Sequence, residues 1–350
     1  MFFMCCILAG AVLKIAAAII LPFTLAVLLA FVMYPIVKKL DKLRFPRFLS
    51  IILVVILMIT VLIGLGIVLY FSGKTVASFL PQYFKEDRLN EIYLQAARIF
   101  DLSYDEELTF INNLWAQLGI RTWVRNSSVH FMNIFLRFMK SAGLVVIFVV
   151  FILVEANFFK DKLIIALKDN SERINRMGHD LMSNVARYLG AKFLISLANG
   201  LLFAITFYFV GLEFAIVWGI LQFILNFIPT LGSIVAGFLI SLFALLQFWP
   251  EPGPIILVIA IILVSNIVLG NFLDPKIIGE HVGISPLMVL ISLLLWGWIW
   301  GFAGMVIAVP MTLTIKIICE NIPFLEPVSV LIGVRKAAKE KKAKDEKPVG

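Results

Sequence analysis

The stretch Leu49-Ser-Ile-Ile-Leu-Val-Val-Ile-Leu-Met-Ile-Thr-Val-Leu-Ile-Gly-Leu-Gly-Ile-Val-Leu-Tyr-Phe71 contains no charged residue. As an α-helix rising roughly 1.5 Å per residue, it would reach about 34 Å and cross a hydrocarbon core of about 30 Å. The other apolar stretches are also long, and they lack the strict alternation of a transmembrane β-barrel. The sequence therefore predicts an all-α, polytopic helical membrane protein.

The composition of the whole chain agrees with this class. Of its 350 residues, 61% are hydrophobic and 15% are charged, and the mean hydropathy is +1.02. A soluble globular chain has a lower apolar and a higher charged fraction. Lipid is therefore the expected surrounding of most of the protein.

About eight transmembrane helices are expected, with one or two re-entrant hairpins. Two pairs of short apolar elements, 214–228 with 233–249 and 286–300 with 301–319, are interrupted by Gly or Pro. Elements shorter than about 20 residues fit a re-entrant hairpin as well as two spans. The sequence leaves both readings open.

Basic residues predict the orientation, because short cytoplasmic loops are enriched in Lys and Arg. Two connections are rich in them: Lys38, Lys39, Lys42, Arg44 and Arg47 in the first, and Lys160, Lys162, Lys168, Arg173 and Arg176 in the second. With both in the cytoplasm, 72–140 lies outside and the C-terminus inside. We expect a multi-pass protein of the bacterial inner membrane.

Six segments follow from this topology. They are N-terminal membrane helices (1–71), an external helical domain (72–140), a membrane helix (141–159), a cytoplasmic amphipathic helix (160–192), a C-terminal membrane transport core (193–319) and a basic cytoplasmic tail (320–350). The external domain is predicted to be helical because Ser103 and Glu106 have the spacing of a capping box. The tail has seven basic and three acidic residues after Pro327, which favours contact with anionic membrane lipid.

Catalytic chemistry has little support in the residues. The three histidines, His130, His179 and His281, are far apart, and the motifs of zinc proteases, serine hydrolases and phosphate-binding loops are missing from the sequence. We expect no enzyme activity, no catalytic residue, no metal site, no cofactor and no nucleic-acid partner.

Polar residues inside the apolar elements are more informative, because an unpaired polar group in hydrocarbon is costly and usually faces a cavity or another helix. The candidates are Lys14, Glu155, Asn199, Gln222, Asn226, Ser265, Asn266, Asn271 and Asp274. Gln222 and Asn226 share one helical face, next to a predicted break at Pro229 and Gly232. Taken singly, each of these residues could instead simply hold helices together.

The second cluster precedes Ser285, which is placed as the N-cap of a helix that starts at Pro286. Its acid, Asp274, could bind a cation or titrate. The predicted solute or ion pathway consists of Gln222, Asn226, Thr230, Asn266, Asn271, Asp274 and Ser285.

Several motifs together resemble the autoinducer-2 exporter family of transporters. They are Ile228-Pro-Thr-Leu-Gly232, Asn271-Phe-Leu-Asp-Pro-Lys-Ile-Ile-Gly279, Gly283-Ile-Ser-Pro286, Trp296-Gly-Trp-Ile-Trp-Gly301 and Ala308-Val-Pro310. The resemblance covers nearly the whole chain and is most specific in the C-terminal half. It implies a bacterial permease that assembles as a homopentamer, in a family linked to export of a quorum-sensing furanone precursor and to sodium/proton antiport.

The resemblance also implies conformational positions. Carried onto this sequence they are Pro229, Gly232, Pro275, Gly279, Pro286, Gly297, Gly301 and Pro310.

The resulting hypothesis is a transporter for a small molecule such as autoinducer-2, or for an ion, with H⁺ or Na⁺ as coupling ions to be tested. Two alternatives remain open at this point. One is a Na⁺/H⁺ antiporter or a channel-like pore, and the other is a membrane scaffold or receptor that transports nothing.

Overall fold

The computed structural model describes residues 2–83, 139–156, 171–273 and 283–333. These ranges are helical, and their β-structure is one isolated bridge between Ile284 and Gly333. Seven of the described helices are long and apolar enough to cross a membrane. The prediction of an all-α, polytopic membrane protein is confirmed. The predicted external domain lies mostly outside the described residues.

The described helices follow one another as α1 (Phe2–Ile15), α2 (Ala17–Lys42), α3 (Arg47–Tyr83), α4 (Met139–Ala156), α5 (Ser171–Val210), α6 (Ala215–Leu225), α7 (Leu231–Phe248), α8 (Pro252–Ser265), α9 (Pro286–Glu320) and α10 (Glu326–Ile332). A π-helical segment, Asn266–Leu273, continues α8, and a 3₁₀ turn, Pro323–Leu325, precedes α10.

The helix α5 differs from the sequence expectation. An amphipathic helix was predicted to end at residue 192, but α5 runs without interruption through this point to Val210. The apolar face of the predicted amphipathic helix, which includes Val185 and Tyr188, is partly buried, with Val185 at 0% and Tyr188 at 5% exposure. The helix ends at Gly211, whose φ of +79° allows the Leu212 amide to donate to the Phe207 carbonyl, a common helix C-cap.

The chain divides into two compact units. Unit 1 contains residues 1–61, 141–195 and 272–350, and unit 2 contains 62–140 and 196–271. The core of unit 2 is formed by apolar side chains of α5, α7 and α8, among which Phe203, Phe207, Ala236, Ile240 and Val258 are fully buried. Aromatic contacts reinforce it, as between the rings of Phe203 and Phe207, 5.0 Å apart.

In unit 1, the tryptophans hold α1 and α9 together. The Trp300 indole donates to the Leu13 carbonyl over 3.0 Å, and its ring lies 5.0 Å from that of Trp296. Lys14 places its Nζ 4.5 Å from the centre of the Trp298 ring, a cation–π contact. Trp296 and Trp300 are therefore packing residues, whereas Trp298 is half exposed.

The helix α9 reverses direction at Gly301. Its φ of +62° and ψ of −140° are accessible mainly to glycine. A Cβ on Gly304 would overlap the Trp296 carbonyl oxygen, and one on Gly297 would lie 2.9 Å from Met305 Cγ. Residues eight apart cannot touch along a straight helix, so 286–300 and 302–320 form an antiparallel hairpin.

The pair α6 and α7 forms a second hairpin. At about 1.5 Å per residue, the 11 residues of α6 reach only about 16 Å. A Cβ on Gly232 would overlap the Leu225 carbonyl oxygen, so the start of α7 is pressed against the end of α6. Both predicted pairs therefore fold as hairpins, and each lies within one unit.

Candidate functional site

The site is built on the crossing of α5 and α6 in unit 2. A Cβ on Gly200 would lie 2.7 Å from the Gly219 carbonyl oxygen, and a Cβ on Gly219 would lie 2.6 Å from the Gly200 carbonyl oxygen. Only residues without a side chain permit such close contact of two backbones. The crossing fixes the face of α6 that carries Gln222 and Asn226, three and seven residues after Gly219.

Asn226 connects three helical elements. Its Nδ2 donates to Ser196 Oγ on α5 over 3.0 Å, and its Oδ1 accepts from Ser233 Oγ on α7 over 3.4 Å. Asn226 is 5% exposed and Ser196 is fully buried. We call this set the Asn226 brace. Because both amide atoms of Asn226 have protein partners, the Asn226 brace stabilises the contact of α6 with α5 and α7.

A second buried contact connects α5 with α8. Ser265 Oγ donates to Asn199 Oδ1 over 2.7 Å, and both residues are 2% exposed. We call it the Asn199 brace. Ser265 is the last α-helical residue before the π-helical segment. Such segments are often found at functional sites of α-helices.

Gln222 contrasts with these braces. Its side chain is fully buried, and neither Nε2 nor Oε1 has a hydrogen-bond partner among the described residues. A primary amide can donate two hydrogen bonds and accept two. Leaving a buried polar group unpaired costs about 1–3 kcal/mol.

The turn between α6 and α7 has a strained backbone. Thr230 has φ +64° and ψ −56°, and the Leu231 amide donates to the Pro229 carbonyl over 2.7 Å, which closes a γ-turn. A positive φ is unusual for a β-branched residue and costs on the order of 1–3 kcal/mol. The side chain of Thr230 is exposed.

The predicted pathway residues have different locations. Gln222 and Asn226 are together in the interior of unit 2, Thr230 is at the nearby turn, and Asn266 is half buried at the start of the π-helical segment. Ser285 belongs to unit 1 and caps α9 as predicted, since its Oγ accepts from the Met288 amide over 3.3 Å. The side chain of Asn271 and all of Asp274 lie outside the described residues.

The conformational positions are placed as follows. Pro229 and Gly232 form the α6–α7 turn, Gly297 and Gly301 the reversal of α9, Pro286 the first turn of α9, and Pro310 is buried in its second arm. Pro275 and Gly279 lie outside the described residues.

Two members of the braces, Ser196 and Ser233, were not identified from the sequence. Serine is common in membrane helices, so a single serine gives no signal by itself. Ser196 and Asn199 are about one helical turn apart, and this spacing could have predicted that both lie on the same face of the helix. Among the residues that the structure places, there is no group of three or more metal-ligating side chains.

Comparison with known proteins shows where the chain belongs. The family model described as "AI-2E family transporter" matches residues 1–324. The AI-2 transport protein TqsA of Escherichia coli is 32% identical over 91% of this chain and 91% of its own length. A Haemophilus influenzae protein named "Putative transport protein" is 31% identical over 93% of both chains, and a Borreliella burgdorferi protein of the same name is 30% identical over 91% of this chain and 86% of its own.

Proposed function

Because the chain belongs to the AI-2E family of transporters, we propose that it moves a small, uncharged, hydroxyl-bearing molecule of the autoinducer-2 type across the bacterial inner membrane. The chemistry of the buried polar side chains of unit 2 carries this proposal. They are Ser196, Asn199, Gln222, Asn226 and Ser265, and all are neutral. Hydroxyl and amide groups both donate and accept hydrogen bonds, so they match the hydroxyl and carbonyl groups of such a solute.

The location of charge in the 196–271 part of unit 2 supports a neutral solute over an ion. Between residues 196 and 271 the charged side chains are Glu213 and Glu251, and both are exposed. Glu213 precedes α6 and Glu251 precedes α8, so neither belongs to the buried polar set. An ion in a buried site requires a compensating charge or several strong ligands.

The backbone around the braces supports a site for a solute. Asn226 caps the short helix α6 just before the strained turn, and Ser265 precedes the π-helical segment. Irregular backbone at membrane depth is tolerated where it is buried in protein or lines a cavity. Transporters use discontinuous helices of this kind to form substrate sites.

The relative TqsA, named as an AI-2 transport protein, supports autoinducer-2 as the first solute to test. A family relationship does not by itself transfer a substrate, so the choice also depends on the neutral chemistry described above. A proton or sodium gradient would have to act through groups outside the buried polar set of unit 2.

The test is flux in proteoliposomes of the purified protein. We expect saturable movement of the autoinducer-2 precursor, above that of protein-free liposomes, and no saturable movement of radioactive sodium under an imposed proton gradient. Sodium flux without precursor flux would support the antiporter instead. If correctly assembled protein moves neither probe, the transport proposal for this class of solute is wrong.

A further inference from the structure

We propose that Gln222 is the side chain that binds the transported molecule, while the Asn226 and Asn199 braces only hold the helices around it. The inference rests on the transport function proposed above and assigns its specificity to one residue. Among the described buried side chains of unit 2, Gln222 is the one whose amide has both polar atoms unpaired.

The amides of the two braces already use part of their hydrogen-bonding capacity on protein partners. Asn226 contacts a serine through each of its two amide atoms, and the Oδ1 of Asn199 accepts from Ser265. A solute at these groups would have only the remaining donor and acceptor capacity, beside the protein partner. Gln222 has its full capacity for a solute, because neither amide atom has a partner among the described residues.

The position of Gln222 is well fixed for this role. It lies three residues after Gly219, where α6 contacts the backbone of α5, and four residues before Asn226, whose brace ends the helix. The backbone that carries the amide is therefore held on both sides, about one helical turn away in each direction. Binding groups on a rigid helix lose less conformational entropy when a solute arrives than groups on a loop.

The chemistry of a primary amide defines the class of solute. Nε2 donates and Oε1 accepts, so the amide pairs best with a group that presents an acceptor next to a donor. Neighbouring hydroxyl groups, or a hydroxyl beside a carbonyl, satisfy this requirement. A bare cation would engage only Oε1 and leave the two Nε2 donors unpaired.

The experiment compares two Gln→Met variants within unit 2. Methionine is close to glutamine in volume and cannot replace the hydrogen bonds of the amide. The control is Gln247→Met, because Gln247 has protein partners: its Oε1 accepts from the Glu213 amide and its Nε2 donates to the Gly211 carbonyl, each over 2.8 Å. The readouts are the midpoint of thermal unfolding in detergent and the concentration dependence of autoinducer-2 precursor flux in proteoliposomes.

We expect the two variants to change in opposite ways. Gln222→Met removes an unpaired buried amide, so the unfolding midpoint should stay or rise, while the half-saturating precursor concentration should rise roughly tenfold or more. Gln247→Met removes two hydrogen bonds to exposed backbone groups, so the midpoint should fall slightly while the half-saturating concentration for assembled protein stays the same. A purely structural role for Gln222 predicts wild-type flux in its variant.

A second variant covers the case in which Gln222→Met does not assemble. Gln222→Asn keeps the amide and shortens its reach by one methylene group. We expect the precursor to raise the unfolding midpoint of the wild type and to raise that of Gln222→Asn less.

Equal stabilisation of wild type and Gln222→Asn by the precursor, or unchanged flux in Gln222→Met, overturns the assignment while the transport function stands. Absence of precursor flux in the wild type overturns the proposed transport function itself.

Discussion

The close crossing of α5 and α6 predicts different stabilities for alanine variants at two glycines of α5. Gly190 and Gly200 lie ten residues apart in the same helix. A Cβ on Gly190 would meet no atom within 4 Å, whereas one on Gly200 would lie 2.7 Å from the Gly219 carbonyl oxygen and 2.9 Å from Phe223 Cβ. The variants Gly190→Ala and Gly200→Ala therefore add the same methyl group to an open and to a filled position.

The magnitude follows from two terms. Replacing glycine by alanine within a helix stabilises it by about 1 kcal/mol, and this term is common to both variants. Overpacking at Gly200 adds a cost of about 1–3 kcal/mol, because a backbone carbonyl cannot rotate away from the new methyl group. We therefore expect Gly190→Ala to be more stable than Gly200→Ala by about 1–3 kcal/mol.

The assay is reversible unfolding of the purified protein in mixed micelles, with helicity followed by circular dichroism. Gly219→Ala provides a check from the other side of the crossing, because its Cβ would lie 2.7 Å from Ala204 Cβ. It should be destabilised to a similar degree as Gly200→Ala. Equal stability of the Gly190 and Gly200 variants would show that the two backbones do not meet at these glycines.

Three further predictions follow. Thr230→Gly should raise the free energy of unfolding by about 1–2 kcal/mol, because glycine adopts a positive φ without strain. Chemical denaturation of both proteins would measure this difference. Ser265→Ala and Asn199→Leu should be less destabilising together than the sum of the single variants, with a coupling of about 0.6–2 kcal/mol in a double-mutant cycle. The family resemblance predicts a homopentamer, so native mass spectrometry should give five times the 39.3 kDa chain mass, and a monomer would contradict it.

The class and the breaks within the two short pairs could be predicted from the sequence because each depends on local physical chemistry. An uncharged stretch such as 49–71 is stable only in lipid or in a large core, and its length matches a bilayer. Short apolar arms interrupted by Gly or Pro predicted a break in each pair, with a re-entrant hairpin and two spans both left open. In α9 the break is at Gly301, the residue with positive φ. The N-cap at Ser285 was predicted for the same reason.

The grouping of polar residues could be predicted only in part. Gln222 and Asn226 are four residues apart, so their shared face follows from helical geometry alone. The partners of Asn226 are 30 residues earlier and 7 residues later in the chain, and the partner of Asn199 is 66 residues later. Such contacts depend on how the helices pack, which hydrophobic periodicity does not encode. The end of the amphipathic helix was placed at residue 192 for a related reason. The polarity of the sequence changes near this residue, but α5 continues through it.

Two amides of unit 2 have different roles. The hydrogen-bonded amide of Asn226 stabilises the fold, and we assign transport to the unpaired amide of Gln222. Asn226 and Gln222 are similar side chains on one face of one helix, so the sequence gives them the same prediction. Their surroundings differ, because Asn226 contacts Ser196 and Ser233 at the end of α6, whereas Gln222 is buried without a hydrogen-bond partner among the described residues. A group that costs stability and provides no internal contact is retained most readily where a bound molecule completes its hydrogen bonds. Substitution of Asn226 should therefore lower the amount of assembled protein, and substitution of Gln222 should lower transport by each assembled molecule.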